Sequence, residues 1–288
     1  MQSQIRSNKL RVSINSFGAE VCSVKNKNGD EFMWQANKKI WGRHSPVLFP
    51  IVGKLKENYF IYNEKTYELP QHGFARDIDF EVIESSSESC IFQLKNSKDT
   101  YERYPFSFVL QISYLLIENK LTTSYKVINQ SDAPMFFSLG AHPAFNCPLQ
   151  SDEKFEDYYL EFEKNKYSRT LLNNGLRSTI KEELKLKDNK LFLKKELFEN
   201  DALVFEENQI NRVSLCSIKS KHKITLECDG WPYFGIWSKK DCEQFVCLEP
   251  WHGITDSEFS NKNLSEKEGI IKLAANTEFS CNYSLVFN

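Results

Sequence analysis

Hydrophobic and polar residues alternate with a period of two along most of this chain. Residues 10–14 (LRVSI) show this alternation, and so do residues 108–116 (FVLQISYLL) and 121–128 (LTTSYKVI), which a short polar segment connects. Successive side chains of a β-strand point to opposite faces, so the two consecutive runs predict a hairpin. The tripeptide NGD at 28–30 predicts another tight turn. Further strands are predicted in five segments: 213–218, 223–228, 233–237, 245–248 and 278–287.

Helical periodicity is scarce. Residues 188–200 (DNKLFLKKELFEN) are the best candidate, and they predict one or two helical turns with Asp188 as the N-cap. Strands do not alternate with amphipathic helices, which argues against a doubly wound α/β fold. Many closely spaced strands indicate an all-β protein, a large antiparallel sandwich or barrel. Because no repeat or flexible linker interrupts the pattern, we expect a single domain over residues 1–288.

Composition and charge exclude several classes of function. The chain has 288 residues, with 37 Lys and Arg against 39 Asp and Glu, and a formal net charge of −2. A nucleic-acid or anionic-membrane binder usually carries clustered basic residues, so neither partner is expected. No segment contains the ~18 consecutive apolar residues of a membrane span. The first residues are polar and resemble a strand more than a signal peptide, so we expect a cytoplasmic protein.

The eight cysteines are scattered, and most lie in apolar, strand-like runs. A disulfide framework remains an alternative because the number is even, but a long chain without an export signal favours reduced cysteines that pack as small hydrophobic residues. The closest pair, Cys242 and Cys247, has no second pair or matching histidine spacing. The sequence therefore predicts no metal site.

Three short segments interrupt the strand pattern and collect unusual residues. They are residues 71–77 (QHGFARD), 138–146 (SLGAHPAFN) and 248–253 (LEPWHG). Each places a titratable side chain beside Gly or Pro at the end of an apolar strand. In a β fold such positions project from a rigid scaffold, where binding and catalytic sites are often built.

Each titratable residue has a structural interpretation as well as a functional one. His72 is interpreted as an ordinary loop residue or a site residue, and His142 as a satisfied core histidine or a site residue. Glu249 ends an apolar run, and a carboxylate at a buried strand end needs a partner or a chemical role. The remaining histidines are His44 and His252, in turns that contain Trp, and His222, which the flanking lysines predict to be solvated.

Two histidines and one glutamate together indicate a catalytic site more specifically than any one of these residues does alone. These residues suit general acid and base catalysis, and the aromatic residues around them suit the C–H face of a sugar ring. The available platforms are Trp237, Trp251, Phe74 and Phe145, although core packing explains Phe74 and Phe145 equally well.

The three segments resemble the motifs of a known family. HGFAR at 72–76, GAHPAFN at 140–146 and EPW at 249–251 are similar, in order and spacing, to the aldose 1-epimerase (galactose mutarotase) superfamily. Together with SPVLFP at 45–50, they most resemble its LacX-like branch. The resemblance covers nearly the whole chain. It implies a large β-sandwich of the galactose-mutarotase-like (supersandwich) type and a cofactor-free interconversion of the α and β anomers of a hexose.

The resemblance also implies roles for individual residues. Glu249 matches the general base of the family and His142 its general acid, so Glu249 is expected to be ionised and His142 able to donate a proton. His72 matches the second histidine, which contacts the sugar near its ring oxygen. Asp201 lies where the family has a carboxylate that holds sugar hydroxyls. An acid and a base on one hemiacetal predict a bell-shaped dependence of rate on pH.

One segment departs from the family pattern. Galactose mutarotases carry an Arg-rich segment upstream of the first histidine, where this chain has VGKLK at 52–56. The residue that supplies the cationic contact to the sugar is therefore Lys54, Arg43 or Arg76, and the sequence does not decide among them. It also leaves the preferred sugar open. Trp237 and Trp251 are expected to line the pocket.

Three rival functions follow from the same residues. The first is a hexose-6-phosphate 1-epimerase in which Arg43, His44, Lys54 and Arg76 clamp the phosphate. The second is a sugar-binding or sensing protein without catalysis, against which the retention of both His142 and Glu249 argues. The third, metal-dependent hydrolysis by His72, His142 and Glu249, is the least favoured. The sequence leaves the oligomeric state open between monomer and dimer.

Overall fold

A computed structural model of the chain describes residues 1–288 and contains 24 strands and one α-helix. The strands of the first half are β1 (Gln2–Arg6), β2 (Leu10–Asn15), β3 (Glu20–Asn26), β4 (Val47–Leu48), β5 (Tyr59–Tyr62), β6 (Lys65–Glu68), β7 (Glu81–Ser85), β8 (Ser89–Lys95), β9 (Phe108–Ile117), β10 (Lys120–Asn129), β11 (Met135–Phe137) and β12 (Leu139–Ala141). Those of the second half are β13 (Ala144–Asn146), β14 (Tyr158–Glu161), β15 (Lys166–Asn173), β16 (Leu176–Lys185), β17 (Lys190–Phe192), β18 (Leu203–Phe205), β19 (Arg212–Ser217), β20 (Lys223–Glu227), β21 (Tyr233–Trp237), β22 (Phe245–His252), β23 (Ile271–Leu273) and β24 (Glu278–Phe287).

The helices are short. The α-helix α1 (Lys98–Arg103) begins at Ser97, whose side chain accepts a hydrogen bond from the backbone of Thr100 in a capping box. Five single turns of 3₁₀-helix connect strands: Lys56–Asn58, Ala75–Asp77, Phe155–Asp157, Lys195–Phe198 and Leu264–Glu266. None of the helices has the length and apolar character needed to cross a membrane.

Two large sheets dominate the fold, and every pair of named strands is antiparallel. A nine-stranded sheet has the order β17-β14-β19-β20-β24-β10-β9-β8-β7. An eight-stranded sheet has the order β16-β15-β18-β21-β22-β12-β4, with β13 also paired to β22. A three-stranded sheet (β1-β2-β3) and two short ribbons (β11-β23 and β5-β6) complete the structure. The all-β, antiparallel prediction is confirmed.

The hydrophobic pattern explains how the two large sheets meet. In β22, Val246 and Leu248 point into a core of 63 buried residues that the nine-stranded sheet also lines, for example with Leu110 and Leu226. The alternate residues of β22, among them Glu249, point to the opposite face of the sheet. One face of the eight-stranded sheet therefore seals the sandwich, and the other face is available for a site.

Most predicted strands are confirmed, with small shifts at their ends. The predicted hairpin is β9–β10, whose two connecting residues are Glu118 and Asn119. The NGD turn brings Glu31 back to pair with Lys25, and Gly29 there has φ of 90°, which the absence of a Cβ permits. The 245–248 run extends further than predicted, to His252, because Glu249 and Pro250 continue the strand.

The helical prediction for 188–200 is largely wrong. Asp188 is not an N-cap; it has φ of 53° and lies in the turn that precedes β17. Only Lys195–Phe198 forms a turn of 3₁₀-helix, and Lys194 occupies the position before it. The apolar pair in Lys190–Phe192 instead extends the nine-stranded sheet as its edge strand, where pairing to β14 outweighs the helical propensity of the flanking lysines.

All eight cysteines are free, and seven are buried: Cys22, Cys90, Cys147, Cys216, Cys228, Cys242 and Cys247. Their placement agrees with cysteines that pack as small hydrophobic residues. His222 is not simply solvated, as the sequence predicted. It is half-buried, its Nε2 lies 3.0 Å from the side-chain nitrogen of Gln150, and its ring meets the edge of Phe32.

Candidate active site

A cavity of about 400 Å³ opens on the face of the eight-stranded sheet that points away from the core. It spans β12, β22, β21, β18 and β15, so residues far apart in sequence share it. Eight of the nine site residues predicted from the sequence line this cavity: Arg43, His72, Arg76, His142, Asp201, Trp237, Glu249 and Trp251. The ninth, Lys54, lies outside it and lines a neighbouring cavity.

The His142 and Glu249 side chains meet at the bottom of the cavity. Glu249 lies in the middle of β22, and His142 follows directly after β12, the strand that pairs with β22. His142 Nε2 is 3.3 Å from Glu249 Oε2, and the two side chains are only 9% and 1% exposed. An imidazole and a carboxylate therefore face each other at proton-transfer distance, with little water around them.

Burial shifts the pKa of both groups in the direction that favours their uncharged forms. It raises the pKa of the Glu249 carboxyl well above its ordinary range; the nearby Trp251 side chain opposes this shift, and the charge of Asp201 adds to it. Burial also lowers the pKa of the His142 imidazole to about 3, in the same direction as the charges of Arg76 and Arg43. Burial thus opposes the ionised form of Glu249 that the sequence analysis expects.

Three buried polar atoms around this pair have no hydrogen-bond partner within the chain. They are Oε1 of Glu249, Nδ1 of His142 and Nε1 of Trp251. An unpaired buried polar atom costs about 1–3 kcal/mol, so such atoms are uncommon unless a ligand satisfies them. All three belong to residues of the cavity wall, where the polar groups of a bound ligand can pair with them.

Aromatic rings fix the orientation of His142. Trp41 stacks on the imidazole with ring centroids 5.0 Å apart and planes inclined by 26°. Trp237 meets it edge to face at 5.6 Å, and the two indoles contact each other at 5.5 Å. His72 approaches from another side at 5.7 Å, perpendicular to the ring. His142 is therefore held in one position by three neighbours.

His72 has an unusual backbone conformation and a defined tautomer. Its φ is 67°, a left-handed value that is strained for a histidine and often marks functional positions. The backbone N–H of Gly53 donates to His72 Nδ1 at 3.1 Å. Nδ1 is thus an acceptor, so the neutral ring carries its proton on Nε2, which lies 3.3 Å from the side-chain amide of Gln71. Burial and the positive charges nearby lower the pKa of His72 well below 6.5, which agrees with a neutral ring that donates through Nε2.

Trp251 forms a wall of the cavity because two flanking strands have glycine where its indole lies. A Cβ on Gly235 of β21 would come within 2.3 Å of the indole, and one on Gly140 of β12 would come within 2.8 Å. Each of these glycines neighbours β22 in the sheet. The ring therefore lies across both strands, and only glycine allows this close approach.

Two guanidinium groups line the upper side of the cavity. Arg43 pairs with Asp77 at 2.9 Å, while the nearest atoms of Arg76 and Asp77 are 3.7 Å apart. Arg76 also donates to the backbone oxygen of Gln71 at 2.6 Å, which connects it to the segment that carries His72. Burial, followed by repulsion from Arg43, lowers the pKa of Arg76 to about 10. One exposed carboxylate thus faces two cations.

Asp201 lies just before β18, has φ of 75° and lines both this cavity and the neighbouring one. Its Oδ1 accepts a hydrogen bond from the backbone of Ala202 at 2.8 Å, which leaves Oδ2 for a ligand. Lys54 is nearby, and its ammonium group is 3.5 Å from the backbone oxygen of Asn174. Of the three cations left open by the sequence, Arg43 and Arg76 therefore face the cavity of Glu249 and Lys54 does not.

The remaining aromatic and histidine candidates lie outside the cavity. Phe74 and Phe145 are 2% and 0% exposed and belong to the main core, so they are not stacking platforms. His44 lies 3.8 Å from Glu20 and supports the loop before β4. His252 packs on Trp231 with ring centroids 4.5 Å apart.

Among the cavity residues that the sequence did not single out, Trp41 and Thr255 have defined contacts. Trp41 stacks on His142, and the dense segment WGRH at 41–44 was the signal that indicated it. Thr255 ties the rim together, since its Oγ1 accepts from the backbone of Lys54 at 3.0 Å and donates to the carbonyl of Gly175 at 2.6 Å. No pattern in the sequence marks a single threonine in this role.

The thiol of Cys247 lies beside the pair, two residues before Glu249 on the same face of β22. Its sulfur and the ligand atoms of His142 and Glu249 lie within 4.8 Å of one another, a spacing at which a metal ion can be held. However, metal binding needs a thiolate, and burial raises the pKa of Cys247 well above 9. The donor set therefore fits proton transfer between Glu249 and His142 better than it fits a metal.

Comparison with known proteins agrees with this geometry. The family model for aldose 1-epimerase matches residues 1–269. The chromosomal protein LacX of Lactococcus lactis subsp. lactis is 31% identical over 290 residues, and the alignment covers 95% of each chain. The structure of a galactose mutarotase related enzyme from Lactobacillus acidophilus is 39% identical, has a TM-score of 0.96 and covers 100% of this chain and 97% of its own.

A galactose mutarotase-like protein from Lactobacillus casei is 30% identical with a TM-score of 0.92, and each chain is covered in full. The predicted galactose-mutarotase-like sandwich is therefore confirmed. The three motifs that indicated the family lie around one cavity, and the relatives extend over the whole chain. We conclude that this protein belongs to the aldose 1-epimerase family and is related to the LacX proteins.

Proposed function

We propose that this protein interconverts the α and β anomers of a free hexose by opening and closing the pyranose ring. The observation that carries the proposal is the distance of 3.3 Å between His142 and Glu249 at the bottom of an aromatic-lined cavity. Family membership supports a sugar epimerase, and the cavity is within the size range of sites for small molecules.

Mutarotation requires a base that removes the proton of the C1 hydroxyl and an acid that protonates the ring oxygen. We assign the base to Glu249 and the acid to His142. The neutral pair (carboxyl and imidazole) and the ion pair (carboxylate and imidazolium) contain the same number of protons. Transfer of one proton from Glu249 to His142 therefore converts the neutral pair into the base and the acid that the reaction needs. A raised pKa makes the Glu249 carboxylate a stronger base, and a lowered pKa makes the His142 imidazolium a stronger acid. Closure of the ring after rotation about C1–C2 reverses both transfers.

Other residues position the sugar. The Nε2–H of His72 donates toward the ring oxygen or a neighbouring hydroxyl, and Asp201 accepts from hydroxyls at the far end. Trp237 and Trp251 pack against the C–H face of the ring. The reaction already proceeds without a catalyst, so only a modest acceleration is needed. Two positioned groups that each contribute about 10²–10⁴-fold are sufficient, and the proposal involves no cofactor.

Catalysis is favoured over mere binding by the location of the pair. Burying an imidazole and a carboxyl with unpartnered atoms is costly, and a binding protein gains nothing from placing an acid beside a base. A sugar sensor needs hydroxyl partners and a stacking surface, which the remaining residues already provide.

A second candidate, a hexose-6-phosphate 1-epimerase, is favoured by one observation. Arg43 and Arg76 face the cavity with Asp77 as their shared counter-ion, and repulsion between them contributes to the lowered pKa of Arg76. A sugar phosphate relieves that repulsion through charge-assisted hydrogen bonds. Lys54 and His44 do not join the two arginines, so the clamp is smaller than the four residues expected from the sequence.

The test measures anomer exchange by NMR for glucose, galactose and their 6-phosphates. Acceleration of the free sugars supports the first proposal. Acceleration confined to the phosphates, with inhibition by inorganic phosphate, supports the second. Binding of either set without any acceleration would contradict both and leave a sugar-binding protein.

A further inference from the structure

Positive charge is concentrated at one end of the three-stranded sheet, although the formal net charge of the chain is −2. A cleft of about 340 Å³ lies there, where β1 and β3 end and β2 begins. Leu10 is its one hydrophobic lining residue, and no carboxylate lines it. Five cations line this basic cleft: Arg6, Lys9, Arg11, Lys25 and Lys27.

Three of these cations form a row across the sheet. Arg6 of β1 is directly opposite Arg11 of β2, and Arg11 is directly opposite Lys25 of β3. Residues that are directly opposite share a face of the sheet, and all three are exposed. Like charges in this register repel each other and destabilise a sheet. A bound anion would relieve that repulsion.

The neighbouring carboxylates leave the row without a partner. Lys9 alone of the five cations forms an ion pair, with Glu118 at 3.7 Å, and both side chains are more than half exposed. Asp30 and Glu31, in the turn that follows β3, accept hydrogen bonds from uncharged groups of β3. The cations of the row are therefore available to a ligand.

The uncharged polar groups of the cleft are already used within the chain. The hydroxyl of Ser7 accepts from the backbone of Lys9 and Leu10, and the side-chain oxygen of Asn26 accepts from the backbone of Asn28. A ligand of the basic cleft is thus recognised mainly by its negative charge. Guanidinium groups suit phosphate oxygens in particular, because their planar N–H donors can bind two oxygens at once.

The length of the row indicates more than one phosphate. Neighbouring strands are about 4.8 Å apart, so three strands spread the charges over roughly 10 Å. A single phosphate is too short to reach all three cations, whereas a chain of linked phosphates can follow the row. The volume of the cleft is close to the lower limit for small-molecule sites, about 300 Å³, which favours a small anion over a macromolecule.

We propose that the basic cleft binds a small anion with two or more linked phosphate groups. None of its lining residues lines the cavity of Glu249, so the two sites are separate. The recognised chemistry is the phosphate chain, which a nucleoside triphosphate and inorganic tripolyphosphate both have. Binding there depends neither on a sugar nor on the proposed anomer interconversion.

The experiment measures binding of tripolyphosphate, ATP and orthophosphate by isothermal titration calorimetry in magnesium-free buffer. We expect tripolyphosphate to bind at least about tenfold more tightly than orthophosphate. Its affinity should fall severalfold when the ionic strength rises from about 0.02 M to about 0.15 M, because salt screens exposed charges. ATP that binds more tightly than tripolyphosphate would identify a nucleotide as the ligand, and equal affinities would identify the phosphate chain alone. No binding of tripolyphosphate, or affinity no higher than that of orthophosphate, would overturn the proposal.

Two variants locate the site. Arg11→Gln and Lys25→Gln should each weaken tripolyphosphate binding about 3- to 10-fold. Arg11 lies between two like charges, so its replacement should leave the protein at least as stable, which denaturant unfolding verifies. Arg212→Gln is the matched control, since Arg212 is an exposed arginine on β19 that lies outside the cleft, and it should bind as the wild type does. Equal losses in all three variants would contradict the site.

Two further measurements separate the basic cleft from other anion sites. Arg43→Gln removes a cation of the sugar cavity and should leave tripolyphosphate binding unchanged, while Arg11→Gln should keep the wild-type rate of anomer exchange. Loss of binding in Arg43→Gln but not in Arg11→Gln would place the anion in the sugar cavity and refute the proposal. Displacement of tripolyphosphate by a short DNA duplex at the same phosphate concentration would refute the preference for a small anion. If the protein turns over no sugar, the calorimetric test still stands.

Discussion

The indole of Trp41 stacks on the imidazole of His142, with ring centroids 5.0 Å apart. Trp41 precedes the first residue of β12 by almost 100 positions, yet it covers the ring that we assign as the acid. The stack excludes water from one face of His142 and fixes its angle to Glu249. Trp41 is thus a positioning residue for the proposed reaction.

Replacing Trp41 should disturb both the position and the acidity of His142. Trp41→Leu removes the stacked ring, so we expect kcat to fall about 10- to 100-fold, as small displacements of catalytic groups do. Since burial is the main cause of the lowered His142 pKa, partial exposure should raise that pKa from about 3 toward 6.5. NMR titration of the His142 ring measures this shift. Trp41→Phe keeps a stacked ring and is the control; an unchanged His142 pKa in Trp41→Leu would contradict the assigned role.

Gly235 should be intolerant of even one added methyl group. In Gly235→Ala the new Cβ would overlap the Trp251 indole at 2.3 Å, and overpacking of this kind typically costs 1–3 kcal/mol. We expect a lower free energy of unfolding together with weaker sugar binding, because Trp251 must move out of the cavity wall. Denaturant titration and tryptophan fluorescence measure the two effects.

Gly42→Ala provides the matched control for this substitution. Gly42 has no positive φ, and a Cβ there would meet Lys38 at an ordinary 3.5 Å. The free energy of unfolding of the Gly42→Ala variant should therefore remain near that of the wild type. A Gly235→Ala protein with wild-type stability and sugar affinity would show that the indole has room to shift.

The strands and the three motifs were predictable because their signals are local. A period of two identifies β21 and β24 residue by residue and the first half of β22, and the three motifs that carry His72, His142 and Glu249 line one cavity. The order of strands in the sheets is set by contacts over long separations, which one sequence does not reveal. For the same reason Trp41 and Thr255 were missed: each acts through neighbours that only the folded sheet brings near. The raised pKa of Glu249 could not be predicted either, because burial, its main cause, is a property of the fold.

The pH dependence of the proposed reaction follows from the single transferable proton that His142 and Glu249 share. At high pH the pair loses that proton through Glu249, whose pKa is raised, and activity falls. At low pH the pair gains a second proton through His142, whose pKa is about 3. We therefore expect kcat/KM to be flat across the mildly acidic range and to decline at the alkaline side.

Substitution of the charged residues around the pair should shift the acidic and the alkaline limb of the pH–rate profile, each in a defined direction. Asp201→Asn removes a negative charge that raises the Glu249 pKa, so the alkaline limb should shift to lower pH. Arg43→Gln removes a positive charge that lowers the His142 pKa, so the acidic limb should shift to higher pH. Initial rates by NMR or polarimetry measure both. Limbs that stay fixed in both variants would mean that other groups control the rate.

A buried ion pair should dominate the stability of the loop below the cavity. Lys267 and Asp256 are each 3% exposed and 3.0 Å apart, and Asp256 also accepts from the backbone of Lys56. Lys267→Met leaves a buried carboxylate without its partner, which typically costs about 3–5 kcal/mol. The double variant Lys267→Met/Asp256→Asn should recover part of this loss. Lys272→Met, at an exposed position of β23, is the control, and denaturant unfolding of all four proteins gives the values.

Glu249→Gln gives the sharpest test of catalysis against binding. The amide keeps the size of the carboxyl and its contact with the sugar, but it cannot accept the C1 proton. We expect kcat to fall by about 10²–10⁴-fold while the affinity for sugar stays near the wild-type value. Glu153→Gln is the control, because it neutralises a buried glutamate that pairs with Tyr158 and Ser217 outside the cavity, and its turnover should be unchanged. If Glu249→Gln lost affinity and turnover to the same degree, Glu249 would be a binding residue, and the base would have to be sought elsewhere in the cavity.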